Sequence, residues 1–133
     1  VFIPYSGIGP LYRGLALPES RALELIGEKA LTSSAPGWSE PIPVDFVYRP
    51  EEFYREGPVS SWTVSLEAAK DFTEGGGYSW DVKVPVVLIA NPGDGDWLDA
   101  KPLYDYEKFD YYNMEEEVMA LGPVKVSGAI VRI

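Results

Sequence analysis

The sequence predicts an α+β domain with more strand than helix. Runs such as Leu11 to Ala16, Val59 to Ser65, Trp80 to Ala90 and Val124 to Ile133 have the length and the apolar, β-branched and aromatic content of strands. Two or three short helical patterns fall among about six such runs, without the regular alternation of a wound parallel sheet. Hydrophobic residues are 46% of the 133 and charged residues 24%, which is enough to bury a core in one domain over 1–133 and argues against disorder.

The chain opens apolar from Val1 and breaks at the turn Gly7-Ile8-Gly9-Pro10. Leu11 to Ala16 follows as a strand interrupted by Arg13. An arginine there suits an edge, but the next residue is Gly14, which lets another group approach the backbone. A guanidinium at such a place has the fork geometry for bidentate phosphate contact. Pro18 to Ala30 reads as a helix, with Pro18 in its first turn and Ala22, Leu23, Ile26 and Ala30 at core spacing. Leu31 to Pro43 is a loop carrying Trp38; Val44 to Tyr48 is a brief strand, and Pro50 to Arg55 is a helical turn ending at Gly57.

Val59 to Ser65 runs as a strand into a helix at Leu66, with Ser65 placed as its N-cap, Glu67 in the first turn, and Ala68, Ala69 and Phe72 on the buried side. Thr73 to Ser79 is a glycine-rich loop. Trp80 to Ala90 is the clearest strand; Val86 to Ile89 reads as buried on both faces, and Pro85 as a bulge or a nearby edge. Asn91 to Asp96 is a turn. Leu103 to Tyr112 crowds Tyr104, Tyr106, Phe109, Tyr111 and Tyr112 beside Asp105, Glu107 and Asp110, a composition that serves recognition and the edge of a small core equally well. Gly122-Pro123 turns the chain into a last strand, Val124 to Ile133.

The net charge of −10, from 11 basic and 21 acidic residues, disfavours nucleic acid and favours a basic protein surface as partner. With neither cysteine nor histidine, thiolate chemistry, histidine triads and histidine metal sites are excluded. Catalysis would have to rest on carboxylates, hydroxyls, Arg, Lys or Tyr. No apolar run reaches membrane-spanning length.

Three carboxylates in a row, Glu115-Glu116-Glu117, precede the apolar run Val118 to Leu121. On a strand Glu115 and Glu117 share one face and Glu116 takes the other. Two carboxylates on one face suit the stabilisation of a developing cation or the acceptance of a proton. A solvated charge run is the plainer alternative.

An arginine on an early strand, hydroxyls at a strand-to-helix junction and a late Glu-x-Glu, in that order, resemble the arginine–serine–glutamate ADP-ribosyltransferases. That family includes cholera-toxin-like and clostridial binary toxins and bacteriophage enzymes. Leu11-Tyr12-Arg13-Gly14 resembles its first motif, and Glu115-Glu116-Glu117-Val118 its last. The middle motif falls on Thr63-Val64-Ser65, with Ser61 the candidate if the register shifts.

The resemblance implies a compact split, mostly antiparallel sheet with short helices around an NAD-binding cleft, NAD as co-substrate and no metal. Arg13 would hold a phosphate, flanked by Tyr12, and the Gly14 backbone would bind the nicotinamide amide. Thr63 would steady Glu117, and Ser65 would support the nucleotide site. Glu117 would stabilise the cation formed as nicotinamide leaves, and Glu115 would orient and deprotonate the acceptor, arginine in the branch that carries Glu there. Tyr78 or Trp80 would lie near the phosphates. The stretch Tyr104 to Tyr112 would read a protein target. The chain would be soluble, either a delivered toxin domain or cytoplasmic. Three rival readings are an NAD glycohydrolase with water as acceptor, transfer to nucleic acid, which the charge of −10 counts against, and a non-catalytic module that binds a partner through its Tyr-rich stretch.

Overall fold

The computed structural model describes residues 3–5, 7–27, 37–54, 59–73, 83–99 and 117–132. The elements run β1 (Ile3–Pro4), β2 (Leu11–Pro18), α1 (Glu19–Ile26), β3 (Ile42–Tyr48), α2 (Pro50–Tyr54), β4 (Val59–Thr63), α3 (Leu66–Phe72), β5 (Lys83–Ala90), a 3-10 turn (Pro92–Asp94), β6 (Asp96–Asp99), β7 (Glu117–Leu121) and β8 (Val124–Val131). The eight strands form one sheet in the order β1-β6-β7-β4-β2-β5-β8-β3, and every pairing in it is antiparallel. The fold is therefore α+β with a mostly antiparallel sheet and short helices.

Pairing along the sheet is uneven. β2 and β5 pair at eight positions, from Leu11 opposite Ala90 to Pro18 opposite Lys83. β4 and β7 pair at five, from Val59 opposite Leu121 to Thr63 opposite Glu117. Between these halves β2 and β4 pair only at Tyr12 opposite Thr63.

The sheet also folds over. β3 stands four places from β4 in the strand order, which in a flat sheet would be about 19 Å at ~4.8 Å per strand. Yet the Tyr48 ring of β3 meets the Trp62 ring of β4 edge to face, 5.9 Å between centroids. Trp62 in turn meets Trp97 of β6 at 5.3 Å. The inner face so enclosed holds the main core, including Leu11, Leu15, Val86, Leu88, Val118, Val124 and Val126. A smaller cluster of Ala69, Val87 and Ile130 lies under α3. β5 is thus covered on both sides, with Val86 and Leu88 in one cluster and Val87 in the other.

Several local expectations shift. Pro18 closes β2 and precedes the first helical residue, Glu19. Ala22 is buried, and Leu25 packs beside Ile26 where the pattern had pointed to Leu23. α1 stops at Gly27, whose φ of 99° is costly for any residue with a Cβ; Ala30 lies outside the described residues. Pro85 is neither at an edge nor at a bulge. Its carbonyl accepts from the Arg132 N–H at 3.0 Å, so its nitrogen also faces β8, just beyond the last regular β5–β8 pair, Val86 opposite Val131. Proline leaves that terminal pair with one of its two ladder bonds. Phe72, expected on the buried side of α3, is 51% exposed.

Candidate functional site at the seam between β2 and β4

The seam collects Arg13 and Gly14 from β2, Ser61 to Thr63 from β4 and Glu117 from β7. Alternation puts Arg13 on the face of β2 that carries the core residues Leu11 and Leu15. On β4 the buried Trp62 takes the core side, which leaves Ser61 and Thr63 on the other. Thr63 stands opposite Glu117, so the Ser61 and Glu117 side chains share a face as diagonal neighbours, two residues out of register.

Backbone directions explain why Arg13 can cross the seam. The Pro85 carbonyl points to β8, so the even-numbered residues of β5 turn their backbone groups to β2. Leu88 is opposite Arg13. The Arg13 backbone therefore faces β5, and the N–H and C=O of Gly14 face β4. In the register of Tyr12 with Thr63, the next exchange of hydrogen bonds would join Gly14 to Ser61. Instead Arg13 Nη1 donates to the Ser61 carbonyl at 2.5 Å. The guanidinium takes the acceptor that a continued ladder would give to Gly14.

The same arginine donates from Nε to the Tyr48 hydroxyl at 2.9 Å, with its central carbon 5.4 Å from the Tyr48 ring centroid. The Ser61 hydroxyl donates to Glu117 Oε1 at 2.7 Å, a charge-assisted bond of good length. Ser61 thus joins the arginine through its carbonyl to the glutamate through its hydroxyl.

The neighbouring hydroxyls do local work. Thr63, 2% exposed, accepts from the Ser65 N–H at 3.0 Å. Ser65 caps α3 by accepting from the Ala68 N–H at 3.2 Å. The sequence assigns the contact with Glu117 to Thr63, or to Ser61 if the register shifts; Thr63 stands opposite Glu117 in the ladder, and the Ser61 hydroxyl bonds its carboxylate. Gly14 has a packing reason as well. A Cβ there would lie 1.9 Å from the Ala69 carbonyl oxygen and 3.2 Å from Phe72 Cβ, so α3 rests on β2 only because Gly14 is bare.

A cavity of about 190 Å³ opens at the seam, lined by Tyr12, Arg13, Gly14, Ser61, Trp62, Thr63 and Phe72. It combines a guanidinium, peptide groups and aromatic surface, a mixture suited to a flat polar ring. Pockets that bury a whole drug-sized ligand run about 300–1,000 Å³, so this one is small by comparison. Trp62, Phe72 and Tyr48 were not singled out from sequence. Trp62 was discoverable, since strand alternation puts the residue between two candidate hydroxyls on the core side. Nothing in the sequence pointed from Tyr48 to Arg13.

Glu115, Glu116, Tyr78, Trp80, Tyr104, Tyr106, Phe109, Tyr111 and Tyr112 lie outside the described residues. Among the described residues, no group of three or more His, Cys, Asp or Glu could hold a metal ion, and no helix is long and apolar enough to cross a membrane. Comparison with family models, curated proteins and solved structures finds no match to this chain.

Proposed function

We propose that this chain is a mono-ADP-ribosyltransferase that cleaves the nicotinamide–ribose bond of NAD and transfers ADP-ribose to an arginine of a protein acceptor. The observation that carries the reading is Ser61, whose hydroxyl holds Glu117 at 2.7 Å and whose carbonyl holds Arg13, beside a cavity. An arginine, a hydroxyl and a glutamate far apart in sequence are the set this chemistry uses, and here Ser61 links the other two, through its carbonyl to Arg13 and through its hydroxyl to Glu117.

In this reading the nicotinamide enters the cavity, and the backbone groups of Gly14 that face β4 bind its amide. Phe72 supplies an apolar wall. The C1′–N bond breaks with its electron pair going to nicotinamide, which leaves neutral and needs no general acid. The ribose cation left behind is stabilised by the Glu117 carboxylate. Ser61 holds that carboxylate in place, so less reorganisation accompanies bond breaking. Arg13, one of the cavity's lining residues, would take the diphosphate. The acceptor guanidine attacks C1′ and loses its proton to Glu115. The formal charge of −10 suits an acceptor on a basic surface.

The test is incubation with NAD labelled in the adenylate portion, with and without cell proteins. Label on protein arginines together with nicotinamide release is the expected result. Nicotinamide release with free ADP-ribose alone would make the chain a glycohydrolase using water. No release and no NAD binding would overturn the reading.

A further inference from the structure

Tyr48 is 0% exposed and belongs to β3, the edge strand four places from β4, yet its hydroxyl reaches Arg13 Nε at 2.9 Å. Its ring is held edge to face on Trp62, which is itself 1% exposed and stacked on Trp97. The hydroxyl therefore sits on a side chain that has no room to change rotamer. Its partner is a planar group fixed at two different nitrogens, Nε by Tyr48 and Nη1 by the Ser61 carbonyl. Two bonds at separate corners of a plane set both the position and the tilt of that plane.

We infer that Tyr48 is a positioning residue for the anion contact of Arg13: it aims the guanidinium so that the diphosphate of NAD meets a fork already oriented. This rests on the transferase reading above. A buried hydroxyl and an aromatic stack do what a solvent-exposed carboxylate partner would do less well. The hydroxyl orients the guanidinium and brings no negative charge of its own. The position is supplied by the fold-over of the sheet, because only that brings β3 to the seam.

The test compares Tyr48→Phe, which removes one oxygen and keeps the ring, in the wild-type and Arg13→Lys backgrounds. Two readouts are used: NAD kinetics by nicotinamide release, and the Arg13 Nε–H signal in nitrogen-15 NMR, assigned by its loss in Arg13→Lys. In the wild-type background Tyr48→Phe should raise KM for NAD about tenfold, the size expected for a hydrogen bond to a charged group, with kcat changed less than twofold. The Nε–H should lose its slow exchange. In the Arg13→Lys background the same change should leave KM unaltered, since lysine has no Nε–H to orient. Equal KM effects in both backgrounds, a fall confined to kcat, or an unchanged Nε–H signal would overturn the inference. If the wild type neither binds nor cleaves NAD, the transferase reading falls, and the NMR comparison still decides whether Tyr48 fixes Arg13. 4-Fluorophenylalanine at position 48, which keeps the ring and nearly the volume of tyrosine while removing the hydroxyl, serves where Tyr48→Phe does not fold.

Discussion

Ser61 and Glu117 meet at 2.7 Å although 56 positions separate them in the chain. The bond runs from an exposed hydroxyl to a carboxylate, so removing it should change chemistry more than stability. Ser61→Ala is expected to lower kcat for nicotinamide release roughly tenfold, from about 1.5 kcal/mol of lost charge-assisted hydrogen bonding. Its urea midpoint should stay close to that of wild type.

Thr63→Val separates the two candidate hydroxyls. Thr63 is buried and satisfies the Ser65 N–H at the start of α3. Losing that acceptor should destabilise the fold by about 1–3 kcal/mol, read as a lower urea midpoint. A variant that instead keeps full stability and loses nicotinamide release would return the catalytic hydroxyl to Thr63.

The ambiguity between those two residues has a geometric source. Ser61 and Thr63 have the same parity on β4, so alternation sends both hydroxyls to one face and cannot choose between them. The pairing with β7 sets Glu117 opposite Thr63 and diagonal to Ser61, and register between strands distant in sequence is not written in either strand. Arg13, Gly14, Ser65 and Glu117 were legible because each stands in a local pattern: a strand interrupted by an arginine, a helix cap, a carboxylate leading an apolar run. Tyr48 was not, because its role depends on how far the sheet folds over. Phe72 ends its helix, and helical spacing alone does not show that the last turn stands clear of the core.

On the transferase reading, Glu117→Gln should depress nicotinamide release about a hundred- to a thousandfold, whether water or a protein is the acceptor, because the charge assigned to the ribose cation would be gone. From the sequence, Glu115→Gln should lose transfer and keep much of the hydrolysis, and Glu116→Gln should affect neither. The measurements are nicotinamide release and label on protein for all three variants, each first shown to be folded. Loss of activity at Glu116 with activity kept at Glu117 would move the motif by one residue.

Gly14→Ala places a methyl group 1.9 Å from the Ala69 carbonyl oxygen, and backbone is the least yielding of neighbours. α3 must lift from β2, at a cost of about 1–3 kcal/mol or more. The urea midpoint should fall, and NAD binding should weaken with it because Phe72 moves with the helix.

Ser65→Ala provides the contrast. It removes the N-cap of α3 at a cost of about 1 kcal/mol. Nicotinamide release per folded molecule, measured well below the melting temperature, should match wild type.

The strand order has a consequence for how this chain reaches its native state. β2, β5 and β8 lie side by side, yet they occupy residues 11–18, 83–90 and 124–131. β4 likewise waits for β7, which begins at Glu117. Neither half of the sheet can close early in synthesis, because each needs a strand that leaves the ribosome late. Contacts so distant in sequence place the protein among slow folders, in the millisecond-to-second range. Until residues 124–131 emerge, one edge of the apolar strand Lys83–Ala90 has no β8 to cover it, and a nascent chain stalled before that point should be a substrate for chaperones.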